Sequence, residues 1–312
     1  MHHHIPLSTA AARNAAAAPN HRSLATFSAR INDVRESCKL SILAYSAEVS
    51  RNNVFGRVIG TYDGRTHTTM APRCKDTQAF MLLRGEDELV VAFRGTMNLL
   101  DVKIALDVRQ ATFGDDDMGG RVHHGFLKQF TSIEPMLSDD IAKVVKQRKV
   151  RRICFTGHSM GAAMAFIAAK RYGTMSDVDG GTDIVCHAFG GPPFADKTFW
   201  HGFVDHVDDH VAINLRNDVV SVIPVNATFC SAPPNTLELT TDGTSTCVKD
   251  TQVPPLMSHL ISRAARCGSM EAIITNHESK TYLHSIDRLL KRVNASANAL
   301  ANASALMGSR KV

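Results

Sequence analysis

The chain has 312 residues, 44% of them apolar and 21% charged, proportions of an ordinary folded protein that exclude collagen-like, coiled-coil and wholly disordered classes. A net charge of +5 without a clustered Lys/Arg stripe leaves no nucleic-acid footprint. No run of 18 apolar residues predicts a membrane span, and seven cysteines, an odd count, do not make a fully paired secreted framework.

Residues 1 to 30 are biased towards Ala, Asn, Ser and Arg, have no apolar period and read as a disordered N-terminal arm. They lack the continuous apolar core of a secretory signal, so a soluble intracellular location is expected. Ile31, Val34, Cys38, Ile42, Tyr45 and Val49 then recur at three- to four-residue steps, which predicts the first helix. TQAFMLLR and ELVVAFRG predict two antiparallel strands joined by Gly85-Glu86-Asp87. Between Asp101 and Arg109 the even positions are apolar, a period of two that predicts a half-buried strand and no lid helix.

The loop GDDDMGG (114–120) reads as a solvated turn, because three adjacent carboxylates on so short a loop cannot converge on one calcium ion. HHGF (123–126) leads into a helix reaching about Gln147, with a kink or break at Pro135. Residues 152–156 form a strand and 160–171 a helix; TDIVCHAFGGP (182–192) and HVAINLRNDVV (210–220) are two more strands. Strands and helices alternating at this spacing predict an α/β fold with a mainly parallel central sheet and helices on both faces. His206 and His210, four apart, would share a helix face. A hydrated helix with acidic neighbours is the expected reading there, and no metal site is expected.

NTLELTTDGTSTCVKD predicts a hairpin about Asp242-Gly243, flanked by Cys230 and Cys247, which would pair only in an oxidising compartment. A helix is expected in LMSHLISRAARCG and another from His277 to Val293, followed by a low-complexity tail over 294–312. One domain, residues 31–293, is the expected organisation.

The chemistry centres on Gly157-His158-Ser159-Met160-Gly161. An apolar strand stops there and an apolar helix begins, the setting of a nucleophile elbow, where a serine stands on a sharp turn and flanking glycines remove clashing Cβ atoms. A serine hydroxyl needs a base within hydrogen-bond reach, held in its tautomer by a carboxylate. Asp218, just past a predicted strand end, suits the carboxylate; His277 and His284 both suit the base, the first favoured because it precedes a late helix from which a loop can aim it across the sheet. Thr96 ends a strand and Met160 starts the neighbouring helix, so their N–H groups can both point at an oxygen developing charge beside Ser159.

From about Gln78 to Leu290 the chain resembles the class 3 lipases, fungal lipase-like α/β-hydrolases. The resemblance rests on ordered motifs: VVAFRGT (90–96), HHGF, GHSMG, AFGGPPFAD (188–196) and NDVVSVIP (217–224). HxxxxYLH, from His277 to His284, is similar to the plant phospholipase A1-like branch. The resemblance implies an α/β-hydrolase fold with Ser159 as nucleophile, Asp218 as acid and His277 as base. It places the oxyanion donors on the Thr96 and Met160 N–H groups, with the Thr96 hydroxyl as a third.

The activity it implies is release of fatty acid from an acylglycerol or phospholipid through an acyl-enzyme, without metal or organic cofactor and with peripheral contact at a lipid interface. A small- or aryl-ester esterase on the same fold and a non-catalytic lipase-like scaffold are the alternatives. Val102 stands where a tryptophan usually follows Asp101, which with the missing lid helix places interfacial activation in doubt.

Overall fold

The computed structural model describes residues 21–46, 52–63, 78–95, 109–114, 119–175, 181–223, 233, 235–247, 262 and 265–308. Alternation within its strands builds two apolar layers. In β4 (Glu88–Phe93), Leu89, Val91 and Phe93 face one core, while Val90 and Ala92 face another. In β7 (Arg152–His158), Ile153 and Phe155 join the first core and Cys154 the second. Strands buried on both faces carry near-continuous apolar runs, which is why ELVVAF and RICF lack a polar face.

The remaining strands of the main sheet are β1 (Asn52–Asn53), β2 (Gly56–Asp63), β3 (Gln78–Arg84), β8 (Asp183–Phe189), β9 (Asp209–Leu215), β10 (Thr236–Leu239) and β11 (Ser245–Cys247). Their order is β1-β2-β3-β4-β7-β8-β9-β10-β11. The block from β4 to β10 is parallel throughout, with Phe93 opposite Gly157 and His158 opposite Phe189; antiparallel pairings flank it. The expected hairpins are both present, β3–β4 turning at Gly85 (φ 64°) and β10–β11 at Gly243 (φ 82°). A separate two-stranded ribbon pairs β5 (Gln110–Thr112) with β6 (Arg121–His123).

One face carries α2 (His124–Thr131), α3 (Glu134–Gln147), α4 (Met160–Gly173) and α5 (Lys197–His206). The predicted break at Pro135 is real: α2 ends at Thr131 and α3 opens with Pro135 in its first turn, where the missing N–H costs nothing. The other face carries α1 (His21–Leu43) and α7 (Ser279–Gly308), whose Ile31, Val34, Tyr282 and Ile286 pack on Val211 and Ile213 of β9. Asp33 of α1 pairs with Arg84 at 3.1 Å and with Arg152, pinning the helix to the end of β3 and the start of β7.

Helix α1 begins at His21 and its Phe27 packs on the core; α7 runs to Gly308 with Val293 and Ala297 buried. The covering of Phe27, Val293 and Ala297 supports helix where the sequence bias favoured coil, since a weak local propensity is overridden once a face is covered. The helix face expected to join His206 and His210 does not form, because His206 ends α5 and His210 lies in β9, edge-on to Phe203. The strand predicted over 210–220 stops at Leu215 and gives way to a turn and a 3-10 turn at Val220–Val222. Thr96, the 101–108 stretch, most of the 114–120 loop, Cys230 and most of the helix expected over 256–268 lie outside the described residues.

Candidate active site

The carboxyl end of the parallel block is where β4, β7, β8 and β9 deliver their loops, and the elbow sits there between β7 and α4. Ser159 has φ 61° and ψ −130°, a conformation costing on the order of 1–3 kcal/mol for a residue with a Cβ. Two glycines make it attainable. A Cβ on Gly157 would stand 2.2 Å from the Gly161 carbonyl oxygen, and one on Gly161 would stand 2.3 Å from the Phe93 carbonyl oxygen of β4. The first glycine lets the chain reverse; the second lets α4 lie directly on the neighbouring strand. The Ser159 N–H donates to Phe189 O at 2.9 Å, which locks the turn to β8. From Met160 onward, α4 is buried along nearly its whole length, so the elbow rests on a rigid support.

Three side chains converge on this turn. His277 Nε2 lies 2.8 Å from Ser159 Oγ, and its Nδ1 lies 2.7 Å from Asp218 Oδ2. Ser159, His277 and Asp218 are 6%, 1% and 0% exposed, so the serine alone touches solvent to any extent. The Asp218 carboxylate is met by further donors: the Tyr282 hydroxyl at 2.6 Å on Oδ2 and the Val220 N–H at 2.8 Å on Oδ1. Tyr282 in turn accepts from the Leu215 N–H at 3.2 Å, which ties the acid loop to the end of β9. Gly190 (φ 57°) leaves room for this arrangement, since a Cβ there would stand 2.7 Å from the Tyr282 hydroxyl. A carboxylate this deeply buried is tolerable because donors surround it.

His277 precedes α7, as the sequence suggested, and it is also the last residue of a further helix, α6 (Met270–His277), with α7 starting two residues later. The turn between two helices holds the ring. His284 points elsewhere: it is exposed on α7. Helix α6 and the role of Tyr282 were not foreseen. Tyr282 stood in the quoted HxxxxYLH pattern, five residues after His277, and that spacing was the available signal. His123 of HHGF is a helix cap, its Nδ1 accepting from the Gly125 and Phe126 N–H groups at 3.1 and 3.4 Å. Asp196 of AFGGPPFAD caps α5 in the same way.

A second serine–histidine contact joins Ser37 Oγ to His187 Nδ1 at 2.8 Å, but both residues are fully enclosed between α1 and the sheet, where no ester can reach. Among the described residues no group of three or more His, Cys, Asp or Glu side chains is placed to hold a metal ion, and no helix is long and apolar enough to cross a membrane.

The family model "Lipase (class 3)" matches residues 90–228. Phospholipase A(1) DAD1, chloroplastic, of Arabidopsis thaliana is 24% identical over 236 residues, covering 69% of this chain and 52% of the relative; the chain thus spans about half the length of that protein. Among solved structures, the native Rhizomucor miehei lipase propeptide complex is similar with a TM-score of 0.60 at 20% identity, covering 75% of this chain and 76% of that one. A triacylglycerol lipase from Penicillium expansum gives 0.58 at 14% identity, over 71% and 84%. At these identities the likeness establishes the α/β-hydrolase fold.

Proposed function

We propose that this chain, which belongs to the class 3 lipase family, is a serine ester hydrolase that cleaves lipid acyl esters. The observation that carries the reading is the unbroken path Ser159 Oγ, His277 Nε2, His277 Nδ1, Asp218 Oδ2, with both contacts under 3 Å. In this reading Ser159 gives its proton to His277 Nε2 as Oγ attacks the ester carbonyl carbon. The Nδ1–H of His277 donates to Asp218, which holds the imidazole in that tautomer and stabilises the cation it becomes. The carbonyl oxygen takes up the charge facing the N–H groups of Thr96 and Met160; one such donor is typically worth about a hundred- to a thousandfold in rate.

Collapse of the tetrahedral species returns the carbonyl, and His277 hands its proton to the departing alcohol. Water then enters, loses a proton to His277 and attacks the acyl-enzyme; the fatty acid leaves and Ser159 recovers its hydrogen. No step needs a metal or an organic cofactor. The lipid side of the proposal draws on the family and on the plant relative's name as a phospholipase, with contact at a lipid interface following from such a substrate.

Ser159→Ala tests the reading directly. It removes only Oγ, so the folded protein should lose turnover of short acyl esters and all labelling by a fluorophosphonate. Unchanged turnover in that variant would refute it. A panel of acyl chain lengths, from butyrate to palmitate, then separates a lipase from a small-ester esterase by where kcat/KM peaks.

A further inference from the structure

Two side chains beside Ser159 take no part in the proton path just described, yet they join its separate pieces. Tyr45 follows the end of α1, and its hydroxyl lies 2.8 Å from His158 Nδ1. The same hydroxyl lies against Gly95, with Arg94 as the charged neighbour. Gly95 has no room for a side chain: a Cβ there would stand 2.2 Å from the Tyr45 hydroxyl, 2.6 Å from His158 O and 3.0 Å from Ser159 Cβ. The tyrosine oxygen is therefore seated on the glycine that leads into Thr96.

On its other side, the His158 ring lies 4.8 Å from the His277 ring and 5.4 Å from the Tyr282 ring. Burial first, and then the proximity of His277, hold the His158 pKa well below the ordinary histidine value, so this ring is neutral. The bonds then have one consistent direction. Tyr45 O–H donates to His158 Nδ1, and the ring hydrogen sits on Nε2. That buried nitrogen makes no hydrogen bond of good geometry, and the backbone carbonyl of His277 is the group that acts on the ring.

We propose that Tyr45 and His158 are positioning residues for the hydrolysis: the Tyr45 hydroxyl, lodged against Gly95 and bonded to His158 Nδ1, fixes the spacing between the end of β4 and the His277 imidazole. The inference rests on the hydrolase reading above. Its physical content is twofold. Gly95 stands just past β4 against His158 O and Ser159 Cβ, so a hydroxyl lodged on it holds the end of β4 against the elbow. His158 is the wall against which His277 rests while its charge appears and disappears, and a neutral wall does not repel the imidazolium. Both effects act when charge develops, so kcat should register them and KM should not.

The test uses the full chain with p-nitrophenyl butyrate, fluorophosphonate labelling and thermal melting. Tyr45→Phe deletes one oxygen and should lower kcat by about 10- to 100-fold with KM within about twofold, the penalty typical of a catalytic constellation let loose by a fraction of an ångström. His158→Asn places an amide oxygen near Nδ1 and restores an acceptor for Tyr45, whereas His158→Gln places its amide near Nε2 and does not. Adding Tyr45→Phe should therefore cost activity again in the His158→Asn background and nothing further in the His158→Gln background. Wild-type kcat in folded Tyr45→Phe overturns the inference, as do equal losses in both backgrounds. Should either His158 variant fail to fold, Tyr45→Phe alone decides. Ser159→Ala keeps the two ideas apart: turnover in that variant removes the hydrolase reading, while an inactive Ser159→Ala beside a fully active Tyr45→Phe removes the positioning role alone.

Discussion

Acid should destabilise this protein through a buried histidine outside the Ser159–His277–Asp218 path. His187 lies in β8, fully enclosed, with Ser37 Oγ 2.8 Å from Nδ1 and the Thr156 hydroxyl donating to its backbone carbonyl at 2.8 Å. Burial lowers its pKa from 6.5 to about 3; Asp33 pulls it upward, and Arg152, Arg30 and Arg84 oppose that pull. The folded value lies below the unfolded one, so as pH falls through 6.5 the unfolded chain takes the proton first. Stability from neutral His187 is thus whole above pH 6.5, declines steadily below it and is fully lost under about pH 3. At pH 5 the loss is roughly 2 kcal/mol, from 1.5 pH units at about 1.36 kcal/mol each. Urea unfolding of the wild type and His187→Asn at pH 7 and pH 5 measures it. The variant starts less stable, since it leaves a gap, but its acid loss should be smaller by roughly 2 kcal/mol. His158, also held neutral by burial, contributes equally to both proteins and cancels. The depressed pKa of Asp33 acts below 3.8, outside the window. Equal acid losses in the two proteins would show that His187 is not held neutral by its burial.

Tyr282→Phe removes a donor from Asp218 and an acceptor from the buried Leu215 N–H, so it should cost about 1–3 kcal/mol in urea unfolding and lower ester turnover. Gly161→Ala drives a methyl group to 2.3 Å from the Phe93 carbonyl and should yield little folded, fluorophosphonate-reactive protein; Gly181→Ala, which meets nothing within 4 Å, should behave as wild type. His277→Ala should abolish turnover, whereas His284→Ala, at an exposed position on α7, should retain it. Activity lost in His284→Ala and kept in His277→Ala would reverse the assignment of the base.

Local chemistry was enough to read the elbow. Gly157 and Gly161 flank Ser159 because the backbone of the turn, β4 and α4 fill the space their Cβ atoms would need, a requirement that any sequence adopting this turn must display. The hairpins at Gly85 and Gly243 and the break at Pro135 are legible for the same reason, each depending on residues adjacent in the chain. The parallel block was legible from the apolar runs of β4, β7, β8 and β9, which only strands covered on both faces can carry.

What depends on distance along the chain was not legible. Asp218 and His277 are 59 residues apart and His277 and Ser159 are 118 apart, so only the folded sheet, with α6 and α7 laid across its end, could choose His277 over His284. That α1 starts ahead of Ile31 and α7 runs past Val293 was not legible either, because Phe27 and Val293 find cover only in the packed structure. Tyr45 looked like one more apolar residue in a helical stripe, and Tyr282 like core; their hydroxyls gained partners on His158 and Asp218 through contacts that no local pattern records. The sequence by itself determined that a serine would stand on a strained turn at the end of a parallel strand. The tertiary structure decided which histidine reaches it, because hydrogen bonds act over about 3 Å and the chain brings those atoms together only when it closes on itself.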